Sequence, residues 1–271
     1  MIDNPRSPRV RAAAKLAKKN QRAETGLFLV EGPQAVAEAI RFRPELVREI
    51  FVTPQARDRA GAVMRDARAA EVRVEIVTDA VLDAIADTVT PQGMVAVCET
   101  FPSSLKAIVA SAPRLVAVLE EVRDPGNAGT VIRVADAAGA DAVILTGTSV
   151  DPFNPKAVRA TTGSLFHVPV VVGVDLDEAL DALRGAGIRV LAADISGDDL
   201  LAARSEGDLD GATAWLFGNE ARGLTTEQLT RADRAVIVPI YGSAESLNLA
   251  TAAAVCLYES AFAQRAAAGD Q

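Results

Sequence analysis

Side chains that could do chemistry stand at three places beyond residue 115, each directly after an apolar run. The first place carries Asn127 and, six residues on, Arg133, whose immediate neighbours are apolar. An arginine in such surroundings is expected to be buried and to bind a carboxylate or a phosphate. Asn127 can reach the same ligand or simply cap the following helix. The pair predicts an anion-binding site at the mouth of a helix.

The second and third places are 217-FGNEARGL-224 and 239-PIYGSAESLN-248. The second has no lysine after its glycines, so it is not the phosphate-binding loop of ATPases. In the third, Ser246 is expected to cap the following helix, which leaves Asn248 unexplained because asparagine is a poor residue inside a helix. The alanines that follow predict that something large passes close to this backbone.

The elements that must position these side chains follow from the periodicity of the sequence. Short apolar runs that read as strands begin near residues 115, 142, 168, 188, 214 and 235, with helical patterns between most of them. This alternation is typical of a parallel sheet covered by helices on both faces, where ligands bind beyond the carboxyl ends of the strands. A similar alternation before residue 100 predicts a smaller α/β domain. We therefore predict two domains, 1–104 and 105–271.

Taken together, the three places resemble the signature motifs of the SpoU/TrmH-type RNA 2′-O-ribose methyltransferases, members of the SPOUT class. The resemblance covers about 115–260 in order and spacing, as N-x5-R, F-G-N-E-x-x-G-L and P-x-x-G-x-x-x-S-L-N. The stretch 25–40 is similar to the substrate-binding domain often found ahead of this catalytic domain. The resemblance implies a trefoil-knotted parallel sheet preceded by an L30e-like α/β domain, S-adenosylmethionine as methyl donor, and a homodimer.

The resemblance also implies roles for single residues. Those expected to hold S-adenosylmethionine are Gly218, Val238 and Leu247, with Val238 standing where isoleucine is common. Those expected to form the reaction centre are Asn127, Arg133, Glu220, Ser246 and Asn248. Arg133 is either a clamp for the phosphate beside the target ribose or the base, and Glu220 is either catalytic or a carboxylate at a helix end.

Charge is distributed unevenly along the chain. The net charge is −8, which argues against a general affinity for nucleic acid, but seven cations lie between Arg6 and Arg22 with no acid among them. Such a run is either a solvated helix face or a surface for a phosphate backbone. The residues predicted to contact RNA are Arg9, Arg11, Lys15, Lys18, Lys19, Arg22, Lys156 and Arg159.

Composition narrows the class of protein further. No stretch approaches the roughly 18 uncharged apolar residues of a membrane span, and no signal sequence opens the chain, so we expect a cytoplasmic protein with no membrane partner. One histidine and two cysteines make no zinc-ligand cluster, so no metal is expected. Cys98 and Cys256 stand in apolar runs and are expected to be buried free thiols.

These observations predict an enzyme that transfers a methyl group from S-adenosylmethionine to a ribose 2′-hydroxyl of RNA. The leading domain favours 23S rRNA, because tRNA members of the family often lack such a domain. Three alternatives stay open: a tRNA ribose methyltransferase, an antibiotic-resistance methylase of rRNA, and a knotted RNA-binding factor of ribosome assembly without catalysis.

Overall fold

The computed structural model describes residues 1–269 and divides the chain into two compact units. The first unit consists of Met1–Phe101 together with Asp151–His167. The second consists of Pro102–Val150 together with the chain from Val168 onward. Each unit is built around its own β-sheet.

The elements before residue 101 all belong to the first unit. In chain order they are α1 (Pro8–Lys15), α2 (Lys19–Thr25), β1 (Leu27–Glu31), α3 (Pro33–Phe42), β2 (Val47–Val52), α4 (Pro54–Arg59), α5 (Gly61–Ala69), β3 (Arg73–Ile76), α6 (Asp79–Ile85) and β4 (Met94–Glu99). The sheet order is β1-β4-β2-β3, with β4 antiparallel to both of its neighbours and β2 parallel to β3. The four strands predicted from the sequence are confirmed.

The remaining elements complete the second unit, except for α9, which lies in the first. They are α7 (Leu105–Ala110), β5 (Leu115–Glu120), α8 (Pro125–Ala138), β6 (Ala142–Thr146), α9 (Pro155–Thr161), β7 (Val170–Val174), α10 (Leu176–Gly185), β8 (Arg189–Asp199), α11 (Leu200–Ser205), β9 (Thr213–Phe217), α12 (Thr226–Thr230), β10 (Arg234–Ile237) and α13 (Leu249–Ala268). The predicted α/β class and the six predicted strands are confirmed.

The segment Asp151–His167 brings two aromatic side chains into the first unit. The Phe28 ring, which is fully buried, lies 4.9 Å from Phe153 and 6.3 Å from Phe166, centroid to centroid. The Phe101 ring completes this cluster, and its centroid lies 5.6 Å from those of Phe153 and Phe166. Aromatic pairs at such distances stabilise a core beyond the area they bury. The core of the first unit is therefore built from two separate stretches of chain.

The sheet of the second unit is parallel throughout, in the order β10-β8-β9-β5-β6-β7. After β5 the chain proceeds to β6 and β7 on one side and then returns to β8 and β9 on the other. Because β5 and β9 are neighbours, the loops that follow them emerge side by side at the carboxyl edge, where ligands bind in open α/β sheets. Trp215 of β9 anchors α13, since its buried indole N–H donates to Ser260 Oγ at 2.8 Å.

Two helices begin at residues other than those expected. The N-cap of α8 is Asp124, whose side chain accepts from the N–H of Asn127, so Asn127 lies inside the first turn. The N-cap of α13 is Asn248 and not Ser246, because the Asn248 side chain accepts from the N–H groups of Ala250 and Thr251. Asn248 is therefore outside the helix interior, which removes the objection to asparagine at this position.

Some features of the described residues bear on the remaining expectations. Cys98 and Cys256 are both free and buried, as predicted, and burial raises the pKa of each thiol. None of the helices over residues 1–269 has the length and apolar character needed to cross a membrane. Within the same range, no group of three or more His, Cys, Asp or Glu side chains could hold a metal ion. The trefoil knot stays a prediction.

Candidate active site

The loop after β9 is folded tightly on itself. Gly223, at a φ of +66°, donates its N–H to the Asn219 carbonyl at 2.8 Å, while Asn219 Oδ1 accepts from the N–H groups of Ala221 and Arg222. The backbone at Gly218 packs directly against Gly223, since a Cβ at Gly218 would lie 2.5 Å from the Gly223 carbonyl carbon. Only glycine fits at position 218, because real Cβ contacts are not that short.

Glu220, in the same loop, holds the start of α8. Its Oε1 accepts from the Asp124 N–H at 3.0 Å and from Asn127 Nδ2 at 3.2 Å, and its Oε2 accepts from the Arg123 N–H at 3.0 Å. Partial burial acts to raise the pKa of this carboxyl, but these hydrogen bonds outweigh it and place the pKa below its ordinary value. Glu220 is therefore an anion that fixes the position of Asn127.

Asn127 in turn contacts the third loop. Its Oδ1 accepts from Asn248 Nδ2 at 3.1 Å, while the Asn248 Oδ1 caps α13. A continuous hydrogen-bonded chain thus runs from Glu220 through Asn127 to Asn248. The structure brings together one residue from each of the three sequence motifs, and the polar atoms of each side chain are oriented by the next.

A cleft opens beside this hydrogen-bonded chain. Five of the predicted site residues line it, namely Gly218, Glu220, Val238, Ser246 and Leu247. The rest of its wall is largely apolar and includes Phe217, Val236, Ile237, Ile240, Leu249 and Ala252. Ser246 and Leu247 belong to the stretch 241–248, which is exposed.

The cleft also contains residues that the sequence reasoning missed. Ala193, Asp194 and Ile195, near the middle of β8, line it, as does Arg222. The Asp194 Oδ1 accepts from both the N–H and the hydroxyl of Ser196. The sequence could have indicated Asp194, because it stands at the end of the apolar run 188–194. Polar residues at the ends of such runs are expected near the ligand, and the three loops were selected on this ground.

Arg133 lies further along α8. It is six residues beyond Asn127, a rise of about 9 Å along the helix axis. The expectation that Arg133 is buried is wrong, since its side chain is exposed while Val131 and Ile132 face the core. Apolar neighbours in sequence mislead here, because a helix turns adjacent residues to different faces.

The residues predicted to contact RNA fall into two groups within the first unit. Arg9, Arg22 and Arg159 hold ion pairs with acids of that unit. Arg22 is only 3% exposed, and its guanidinium also donates to the carbonyls of Leu16 and Ala17, so its donors are directed inward. The exposed members of the set are Arg11, Lys15, Lys18, Lys19 and Lys156.

Comparison with known proteins identifies the class to which this fold and cleft belong. Residues 114–258 match the model of the SpoU rRNA Methylase family, and residues 29–103 match the model described as RNA 2′-O ribose methyltransferase substrate binding. The chain belongs to the SpoU rRNA methylase family. This membership confirms the predicted class of enzyme, an RNA ribose methyltransferase that uses S-adenosylmethionine.

Individual relatives match over nearly the whole chain. The 23S rRNA (guanosine(2553)-2′-O)-methyltransferase RlmP of Bacillus subtilis is 35% identical, over 95% of this chain and 97% of its own. A 23S rRNA (uridine(2479)-2′-O)-methyltransferase of Streptomyces viridochromogenes is 32% identical over 91% and 86%. The AdoMet-bound rRNA methyltransferase of Sinorhizobium meliloti superposes with a TM-score of 0.82 at 31% identity, covering 96% of both chains.

Proposed function

We propose that this chain methylates a ribose 2′-hydroxyl of 23S rRNA, with the reaction centre at the hydrogen-bonded chain Glu220–Asn127–Asn248. The observation that carries the proposal is the convergence of these three side chains, from three separate segments of the chain, beside a single cleft. Two relatives that match over 95% and 91% of this chain, RlmP of Bacillus subtilis and the uridine(2479) enzyme of Streptomyces viridochromogenes, are named for 23S rRNA, and a ribosomal substrate supports a cytoplasmic reaction.

The residues of the cleft fit S-adenosylmethionine. Apolar walls suit an adenine ring, whereas the carboxylate of Asp194 suits hydroxyl or ammonium groups. We assign binding to the backbone at Gly218, Val238 and Leu247. When bound, the donor supplies a methyl group on a positively charged sulfur, which is already a strong electrophile. The protein must therefore mainly position the ribose hydroxyl and stabilise its loss of a proton.

Arg133 is proposed as the clamp for the phosphate beside the target ribose. A guanidinium keeps its proton up to a pH above about 12, so it stabilises a developing alkoxide better than it accepts a proton. Glu220 is proposed as a positioning residue, because its carboxylate oxygens are already engaged by Arg123, Asp124 and Asn127. Asn127 and Asn248 orient the ribose, and Ser246 lines the cleft.

The proposed function is tested by mapping ribose methylation in RNA from cells with and without the gene. We expect one 2′-O-methyl group of 23S rRNA to disappear and to return when purified protein and S-adenosylmethionine are added. Loss of a methyl group from tRNA alone would contradict the assignment to 23S rRNA, and no change in any RNA would contradict methyl transfer itself.

The exposed cations of α1 and α2 are proposed to bind the RNA backbone. Reversing charge at Lys15, Lys18 and Lys19 is expected to weaken RNA binding without changing donor affinity, because those residues lie outside the cleft. The slope of log affinity against log salt should become shallower by about 0.7 to 0.9 for each lysine that contacts a phosphate. Fluorescence anisotropy over a salt series measures both quantities.

A matched control separates this surface from net charge. Reversal of Arg57, Arg65 and Arg68, which are exposed on α4 and α5, changes the net charge by the same amount. We expect this control to leave the salt slope nearly unchanged. An equal loss of RNA affinity in both triple variants would mean that α1 and α2 have no special part in binding RNA.

A homodimer is proposed through α13. Phe262 on this helix is 50% exposed and packs against Tyr258 one turn earlier, with ring centroids 5.6 Å apart. A symmetric pair of such patches would remove both rings from water.

The dimer is tested by light scattering. The wild-type protein should have twice the 28.3 kDa mass of one chain, and Phe262→Asp should lower the measured mass towards that of one chain. Val89→Asp, at an exposed residue of the first unit, is the control. A monomeric wild-type mass with full activity would refute the dimer.

A further inference from the structure

One phenylalanine of the first unit is exposed where the others are not. Phe42, at the end of α3, is 45% exposed, whereas Phe28 and Phe51 are fully buried and Phe153 and Phe166 are 5% exposed. Leaving a large apolar ring half in water forgoes much of the stabilisation that burial would bring. The exposed Phe42 ring is therefore a candidate for binding a ligand.

The Phe42 ring is held in place by two neighbours. The His167 ring lies 4.2 Å away, centroid to centroid and tilted by 51°, and His167 Nε2 lies 3.0 Å from a carboxylate oxygen of Glu38. The Arg41 guanidinium carbon lies 5.2 Å from the centre of the Phe42 ring. These contacts fix the ring before any ligand arrives, which lowers the entropy lost on binding.

Three arginines lie close to Phe42 in sequence, and one of them has no carboxylate partner among residues 1–269. Arg43 pairs with Glu45 and lies over the Phe101 ring, and Arg48 pairs with Glu99. Arg41 is exposed, and residues 1–269 provide it with no carboxylate partner. A half-exposed aromatic ring with one guanidinium over it matches the two parts of a single nucleotide, because the exposed part of the ring can stack on a base and the guanidinium can bind a phosphate.

We propose that Phe42, flanked by Arg41 and His167, is a stacking site for one unpaired base of the RNA, with Arg41 binding a phosphate of the same strand. The inference rests on the proposed function in that this RNA is the substrate. Aromatic side chains beside cations are the usual means of holding single-stranded nucleic acid, because every base has a face that can stack. The first unit would then recognise RNA that is locally unpaired.

The test uses the full chain and a fluorescein-labelled 12-nucleotide oligouridine strand, with a 12-base-pair RNA duplex for comparison. Phe42→Leu removes the ring but stays apolar, and we expect it to weaken binding of the single strand by about 5- to 140-fold, the loss of one base stack. Phe42→Tyr keeps a stacking face and should stay within about twofold of wild type. Arg41→Gln should make the salt slope shallower by about 0.7, while Phe42→Leu should not change it.

Three controls accompany these variants. Val89→Ala alters a more exposed apolar side chain of the same unit and should bind the strand like wild type. Duplex affinity should not change in Phe42→Leu, which reports on the first unit, and calorimetry should show unchanged affinity for S-adenosylmethionine, which confirms that the second unit is folded.

Three results would overturn the stacking site. They are wild-type affinity for the single strand in Phe42→Leu, a loss of affinity in Phe42→Tyr as large as that in Phe42→Leu, and no binding of the strand by the wild-type protein. A change in molecular mass for Phe42→Leu with unchanged RNA affinity would assign the ring to contact with a second copy instead. Methylation of 23S rRNA is scored separately. A wild-type protein that binds the strand through Phe42 but methylates no rRNA would overturn the proposed function and leave the stacking site standing.

Discussion

Arg133→Ala is expected to reduce methyl transfer by at least about 100-fold while affinity for S-adenosylmethionine stays within about twofold of wild type. The magnitude is that of removing one group which stabilises charge developing in a transition state. Donor affinity should survive because Arg133 is exposed on α8 and does not line the cleft. Single-turnover methylation of 23S rRNA and calorimetry with the donor measure the two effects on the same preparation.

Two further variants sharpen this result. Arg133→Lys keeps the charge but not the planar fork of the guanidinium, so it should restore little activity if the phosphate is bound by two parallel hydrogen bonds. Arg265→Ala removes an exposed arginine of α13 in the same unit and should leave the rate unchanged. Turnover near the wild-type rate in Arg133→Ala would end the assignment of Arg133 to the reaction centre.

Gly218→Val is expected to abolish measurable donor binding, a loss of at least about 100-fold in affinity. Any side chain at position 218 collides with backbone, since its Cβ would lie 2.5 Å from the Gly223 carbonyl carbon and 2.7 Å from the Leu224 nitrogen. Backbone cannot move aside as the tip of a flexible side chain can. The loop from Gly218 to Gly223 must therefore shift, and the cleft wall shifts with it. Calorimetry with S-adenosylmethionine measures the loss.

Gly185→Ala provides the matched control for this substitution. Gly185 ends α10, and a Cβ there would meet nothing within 4 Å, so alanine should leave donor affinity unchanged and slightly raise the melting temperature. If Gly218→Val does not fold, Gly218→Ala makes the same test with the smallest side chain. Wild-type donor affinity in a folded Gly218→Ala protein would show that the approach of Gly218 to Gly223 is not needed for the cleft.

The loops that form the cleft could be predicted from the sequence, whereas the hydrogen bonds beside the cleft could not. The strands and the loops after β5, β9 and β10 could be found because apolar runs and glycine turns are local signals. Gly218, Val238 and Leu247 line one cleft because those loops meet at the same edge of the parallel sheet. The bonds from Glu220 to Asn127 and from Asn127 to Asn248 join residues about a hundred positions apart, and no local pattern encodes such pairs.

Helix starts and side-chain exposure were the least predictable features. Ser246 and Asn248 are both good N-cap residues, so propensity alone could not choose between them. Arg9 and Arg22 belong to a basic run that contains no acid, yet Glu49, Glu75 and Asp151 reach them from distant parts of the chain. A run of cations in sequence therefore indicates a basic surface only where those cations are not paired with acids from elsewhere in the fold.

The return of Asp151–His167 to the first unit has a consequence for how the protein is made. Domains usually fold in the order in which they leave the ribosome, the amino-terminal one first. Here the rings of Phe153 and Phe166, which cover Phe28, are synthesised after β5, α8 and β6 of the second unit. The first unit must wait for them with part of its apolar core uncovered. Translation beyond residue 167 thus completes the first-synthesised unit, and both units mature on the same nascent chain.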